Sequence, residues 1–142
     1  MVREIHIRGA KTADLEEIVK IGAEAFPYIK DPERFFRQRL ENGRIFVIQV
    51  DGKVIGFVDI TPGDYAVIEG IAVKKEFRGR GFGARLLEYA LQWLQRSGAR
   101  GVILRTLASN ARAVALYKKF GFRELWRDGE VILMGKSFGA VV

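Results

Sequence analysis

The sequence predicts a single α/β (α+β) domain in which a mixed, mostly antiparallel sheet carries helices on both faces. Three observations support this. Short apolar segments are joined pairwise by Asp51-Gly52 and Asp128-Gly129, the two-residue turns that suit tight hairpins. Between the paired segments run stretches with apolar residues at helical spacing. Finally, the 142 residues, 49% hydrophobic and 29% charged, contain no repeat, low-complexity tract or linker, so residues 1–142 are expected to form one domain. A chain of this length buries roughly two thirds of its unfolded surface, enough for a core without disulfides or structural metal.

Each element has its own signal. Residues 3–8 alternate polar and apolar, as a half-buried strand does. Thr12 opens a helix with Asp14, Glu16 and Glu17 in its first turn, where the helix dipole favours anions, and Leu15, Ile18, Val19 and Gly22 follow at helical spacing. Asp31-Pro32 reads as an N-cap and first-turn proline of a second helix bearing Phe35, Phe36 and Leu40, stopped at Asn42-Gly43. Residues 45–50 and 53–60 pair across Asp51-Gly52, and Thr61-Pro62-Gly63-Asp64 turns the chain into residues 65–73 to complete an antiparallel meander. Phe82, Leu86, Leu87, Ala90, Leu91 and Leu94 predict an amphipathic helix over 81–97, ended by Ser97-Gly98. Residues 102–107 suit a strand near the sheet centre; Ser109 or Asn110 caps a helix through Phe120; residues 122–126 and 130–136 form the last hairpin. The order is β-α-α-β-β-β-α-β-α-β-β.

The composition excludes several classes of function. Without cysteine there is no disulfide scaffold, thiol catalysis, zinc finger or iron–sulfur ligation, and the chain suits a reducing compartment. The N-terminus mixes both charge signs without an apolar region behind them, and no apolar run approaches the roughly 18 residues that span a bilayer. A cytoplasmic protein is expected, with neither a membrane nor a metal among its partners. Charge is unevenly placed: residues 1–73 carry 10 Lys/Arg against 12 Asp/Glu, and residues 74–142 carry 14 against 5. The strongly basic half should attract an anion, whether a polyphosphate cofactor, nucleic acid or an anionic surface.

The local motif selects among these. Residues 78–84, Arg78-Gly79-Arg80-Gly81-Phe82-Gly83-Ala84, stand where a helix begins. Backbone N–H groups at a helix start are unsatisfied donors, and glycine lets an anion approach them closely. With Arg78 and Arg80 supplying charge, the segment reads as a pyrophosphate cradle. Gly79, Gly81 and Ala84 also fit the dinucleotide fingerprint, but five residues separate the preceding strand from the first glycine, and no acid ends the strand at Leu104-Arg105-Thr106. An NADP oxidoreductase using Arg105 is therefore a remote alternative. No P-loop sequence occurs, and nucleic-acid binding has no zinc spacing, helix-turn-helix or ribonucleoprotein motif to attach to.

Ile68-Glu69-Gly70-Ile71-Ala72-Val73, the segment 78–84, and Asn110-x-x-Ala113-x-x-Leu116-Tyr117-x-x-Phe120-Gly121-Phe122 together resemble the GNAT superfamily of acetyl-CoA-dependent N-acetyltransferases, in order and in separation. The resemblance covers the element order of nearly the whole chain, with specific motifs over residues 66–123. It implies the acyl-CoA N-acyltransferase fold, acetyl-CoA as cosubstrate and a primary amine as acceptor. In such a protein Arg78, Gly79, Arg80, Gly81, Phe82, Gly83 and Ala84 hold the coenzyme A pyrophosphate. The strand containing Glu69 bulges and splays from its neighbour, and Ile71, Ala72 and Val73 present backbone to the pantetheine arm, where an N–H would also stabilise a developing oxyanion. Asn110 matches a position that hydrogen-bonds the arm, while a helix N-cap explains it equally. Tyr117 matches the general acid for the departing thiolate, although Val114, Tyr117 and Phe120 also form an apolar stripe.

Deprotonating the amine calls for a base, and Glu69, an acid in an apolar strand, is the expected one. Many family members carry the acid two residues earlier, where this chain has Val67; Glu24 and Asp59 are reserves. His6, far from the motif in the chain, is expected at the surface or in the sheet. Phe26, Phe35 and Phe36 read as packing of the helices on the sheet, while Tyr28 suits either packing or the lining of an acceptor groove. The net charge of residues 1–73 suggests a mildly acidic acceptor wall. A peptide or protein amine is favoured, on the similarity of Val131-Ile132-Leu133-Met134 to protein N-terminal acetyltransferases. A polyamine, amino sugar or amino acid is the alternative, a non-catalytic acyl-CoA-binding module is another, and a homodimer is a possible assembly.

Overall fold

In the computed structural model, which describes residues 3–139, the strands are β1 (Ile5–Gly9), β2 (Arg44–Val50), β3 (Lys53–Thr61), β4 (Tyr65–Val73), β5 (Gly101–Leu107), β6 (Arg123–Asp128) and β7 (Val131–Ser137). They form one seven-stranded sheet in the order β1-β2-β3-β4-β5-β7-β6. The helices are α1 (Leu15–Ala25), α2 (Pro32–Asn42), α3 (Phe82–Arg96) and α4 (Ala111–Lys119). The mixed sheet and the element order match the expectation. Two short 3-10 turns, Thr12–Asp14 and Lys75–Phe77, refine it, because the chain enters α1 and leaves β4 through single tight turns.

Local chemistry sets the helix ends. Asp31, at φ 48°, accepts the Arg34 N–H with Pro32 in the first turn of α2. Asp14, just before α1, accepts two bonds from the Arg8 guanidinium at 2.8 and 2.9 Å and a third from the Lys11 N–H at 2.7 Å, tying the helix start to the first strand. Asn110, not Ser109, caps α4 by accepting the Ala113 N–H.

Two cores sandwich the sheet. On one face, α3 buries Leu86, Leu87, Ala90 and Leu94 against Phe46, Ile48, Val58, Ile68 and Leu104. On the other, Leu15, Ile18 and Ile21 of α1 and Phe36 of α2 cover Ile45, Val47, Phe57 and Ala72. Alternate residues of β2 face opposite cores, which explains its unbroken apolar run. Every neighbouring pair of strands is antiparallel except β4 and β5, which run parallel from Tyr65↔Gly101 to Ile68↔Leu104 and then part.

Candidate active site

The parting of β4 and β5 begins beside an irregularity in β4. Asp59 of β3 pairs with Gly70 but Ile60 pairs with Ile68, leaving Glu69 as the extra, bulged residue. The bulge reverses the strand's alternation. Ala66 and Ile68 belong to the core beneath α3, whereas beyond the bulge Ala72 belongs to the core beneath α1, and Ile71 and Val73 pack toward α3.

Past Ile68 the β5-facing edge of β4 has no strand partner. The Lys74 N–H donates to the Ile55 carbonyl on β3, so by alternation Ile71 and Val73 direct their backbone groups into the gap. Ala72 is corrected here. Its carbonyl points at Gly56 of β3 and its side chain is buried under α1, so it offers nothing to a group in the gap.

A cleft of about 710 Å³ opens at this gap. Glu69, Gly70 and Ile71 of β4, Arg105 to Leu107 of β5, Asn110 and Tyr117 line one side, and Phe26, Tyr28, Ile29 and Phe35 line the other. Tyr28 is 78% exposed at the mouth. The phenylalanines pack as expected, with Phe36 fully buried against Phe57, yet Phe26 and Phe35 also face the cleft.

The carboxylates sort by their partners. Asp59 is 2% exposed and is held by Arg39, whose Nε lies 3.0 Å from both carboxylate oxygens and whose Nη2 lies 2.9 Å from Oδ1. Burial pushes its carboxyl up, against the opposing pull of Arg39. Glu24 pairs with Arg78 at 3.1 Å. Neither reserve is a free base. Glu69 is exposed, and its Oε2 accepts from the Thr61 hydroxyl at 2.6 Å. With Asp59 neutralised and Arg105 in the lining, the expected acidic wall reduces to this one carboxylate. His6 lies exposed on the edge strand β1, paired with Gln49 of β2.

The cradle forms at the start of α3. Gly81 caps the helix at φ 85° and Gly79 has φ 77°, left-handed conformations that glycine adopts without strain. A Cβ placed on Gly81 or Gly83 would meet nothing within 4 Å, so the space over the first-turn N–H groups is open. The segment thus fits a pyrophosphate group by geometry. One member of it is corrected, and a second is confined to its backbone. Arg78 turns back, its Nε donating to the Val73 carbonyl at 2.9 Å and its Nη2 to Glu24, so it braces the loop instead of projecting from it. Phe82 is 7% exposed in the core, so only its N–H is available. Arg80 remains exposed, its guanidinium over the Phe77 ring. A further cation went unread in the sequence: Arg112, in the first turn of α4, brings Nη1 to 3.7 Å from where a Gly79 Cβ would stand. Its spacing from Asn110, on the same first turn, is the signal that could have shown it.

Tyr117 lines the cleft from α4 with its ring 5.8 Å from that of Phe122. Burial pushes its phenol up, so the hydroxyl holds its proton throughout the neutral range. The stripe and the cleft position coexist: one edge packs while the residue lines the cavity.

Comparison with known proteins gives this arrangement its context. Residues 14–122 match the model of the Acetyltransferase (GNAT) family. The chain is 31% identical over an alignment of 150 residues to an N-alpha-acetyltransferase of Sulfurisphaera tokodaii, covering 90% of this chain and 89% of that protein. It is 30% identical over 119 residues to a ribosomal-protein alanine N-acetyltransferase of Escherichia coli K12, covering 83% and 80%. The crystal structure of the ribosomal-protein alanine N-acetyltransferase from Escherichia coli superposes with a TM-score of 0.82 at 26% identity, over 98% of this chain and 97% of that one. The fold is also that of a PaiA N-acetyltransferase of Thermoplasma acidophilum in complex with coenzyme A, with a TM-score of 0.79 at 20% identity over 95% and 99% of the two chains. The chain belongs to the GNAT family of acetyltransferases and is an acetyl-CoA-dependent N-acetyltransferase.

Proposed function

We propose that this enzyme, acting as one domain in the cytoplasm, acetylates the α-amine of a peptide or protein, with Glu69 as the base and Tyr117 as the acid. The observation that carries the reading is the convergence of both side chains on one cleft, at the level where β4 and β5 part. The open mouth at Tyr28 leaves room for an acceptor that continues outward, and relatives named for N-alpha and ribosomal-protein alanine acetylation support it.

Acetyl-CoA supplies the acetyl group as a thioester. For the pyrophosphate, the N–H groups of residues 82–84, the left-handed turn at Gly79 and Gly81, and the charges of Arg80 and Arg112 form the receptor. The backbone groups of Ile71 and the N–H of Val73, whose carbonyl already accepts from Arg78, suit the amides of the pantetheine arm, and Asn110 retains its side-chain N–H₂ for the same arm while its oxygen caps α4.

An amine attacks only after losing a proton. Glu69, with one oxygen committed to Thr61, offers the other to the incoming amine. Tyr117, lining the same cleft, would hold a proton for the departing sulfur. Glu69→Gln should therefore lower kcat by roughly 10²-fold and flatten the pH–rate profile measured with a peptide acceptor. A variant with the wild-type profile would place the base elsewhere.

A further inference from the structure

Asp59 of β3 and Arg39 of α2 form a buried ion pair at the edge of the cleft, with the Asp59 carboxylate taken up by Arg39. Such pairs contribute little net stability compared with apolar residues of similar size, so stability alone does not account for this one. The hydrogen bonds lead elsewhere. Arg39 Nη2 shares its two hydrogens among Asp59 Oδ1, the Ile60 carbonyl at 3.1 Å, beside the bulge, and the Thr61 hydroxyl oxygen at 2.9 Å. Thr61 Oγ1 in turn lies 2.6 Å from Glu69 Oε2.

The direction of this chain is determined. A guanidinium only donates, so the Thr61 oxygen acts as acceptor toward Arg39 and its single hydrogen is left for Glu69. Asp59, rigid in the core, fixes the fork of Arg39; Arg39 fixes the Thr61 hydroxyl; Thr61 fixes one oxygen of Glu69. The arrangement matters because Glu69 sits on a bulge, exposed, with a side chain free to adopt many rotamers.

We infer that Thr61, oriented by the Arg39–Asp59 pair, is a positioning residue that holds Glu69 in the rotamer that meets the acceptor amine. The inference rests on the reading of Glu69 as the base. It assigns a function to a polar network that begins under α2 and ends in the cleft.

Thr61→Val removes the hydroxyl while preserving shape and strand preference, and Thr61→Ser restores the hydroxyl. The experiment measures kcat, KM, the pH–rate profile and Tm for both variants, for Glu69→Gln, and for Thr61→Val combined with Glu69→Gln. The expected result is a kcat for Thr61→Val lower on the order of tenfold, about the effect of one hydrogen bond to a charged group, with the KM for acetyl-CoA and Tm unchanged. Thr61→Ser recovers most of the rate, and Thr61→Val adds no loss on top of Glu69→Gln. A wild-type kcat in Thr61→Val overturns the inference, as does a loss that serine does not rescue or that persists in full beside Glu69→Gln. If Glu69→Gln itself retains wild-type kinetics, the base assignment fails first and the positioning role falls with it. A fully impaired Glu69→Gln beside an unimpaired Thr61→Val marks failure of the positioning role alone.

Discussion

As the proposed acid, Tyr117 illustrates how burial can prepare a proton donor. Burial pushes its phenol up from an ordinary value that already lies above that of a thiol, so handing its proton to a free thiolate runs uphill. Transfer must therefore accompany the departure of the sulfur, when charge on it is still developing. Tyr117→Phe keeps the ring against Phe122 and removes only the hydroxyl. We expect kcat to fall roughly 10²-fold with coenzyme A affinity, read by calorimetry, unchanged. An undiminished kcat would mean that solvent protonates the leaving group. Glu69 stood out as an acid inside an apolar strand, whereas Tyr117, on an apolar stripe, was singled out only by the motif shared with the family. Thr61 and Arg39 were not legible, since a threonine ending a strand and an arginine on a polar helix face look ordinary until the fold brings them together.

At the scale of the element, the start of α3 works through open backbone. Gly83 stands in a helical conformation with free space above it, so a larger side chain there strains nothing and obstructs only an anion. Gly83→Val should weaken coenzyme A binding by roughly 10- to 100-fold, as charge-assisted bonds to the N–H groups are lost, with Tm close to wild type; retained affinity would remove the cradle from the account. The start of α1 makes a separate, thermodynamic prediction. The Arg8 guanidinium holds the Asp14 carboxyl below the usual carboxylate range, and the Lys11 N–H lowers it further, against the opposing effect of burial. A depressed folded-state pKa contributes stability that is complete above the unfolded value near 4 and is lost as pH falls through the lower folded value. Asp14→Asn should thus be less stable than wild type by about 1–3 kcal/mol at pH 7, with the gap closing below about pH 4 in denaturant titrations. A gap independent of pH would assign the loss to packing. Helices and hairpins were readable because caps, Asp-Gly turns and periodicity are local signals. The bulge at Glu69 was expected only from the family resemblance, because it is defined by the register of β3 against β4 and by no local signal.

The whole molecule combines a sheet that splits at its centre with a charge distribution that favours a polyphosphate on one side of the split. The parallel pairing of β4 and β5 stops after four residue pairs, and Glu69, Tyr117 and the Asp59 held by Arg39 line the cleft at the resulting gap. The mixed sheet with helices on both faces could be read from the sequence because patterning specifies layers. The electrostatics of the cleft could not, because summing charge over residues 1–73 counts Asp59, Glu24 and Glu17, all paired with cations in the fold. The acceptor side is instead largely aromatic and aliphatic, with Phe26, Tyr28, Ile29 and Phe35 opposite Leu107 and Val131. That lining suits an extended chain entering amine first better than a highly charged polyamine, whose cationic groups would find one free carboxylate and one arginine. The most direct test compares kcat/KM for acetyl transfer to peptides with free α-amines, to the same peptides with the α-amine blocked but a lysine present, and to polyamines and amino sugars. The account predicts transfer to the free α-amine at least tenfold above the other acceptors, lowered roughly 10²-fold by Glu69→Gln and by Tyr117→Phe. Preferential acetylation of small amines, with the α-amine of peptides untouched, would contradict it.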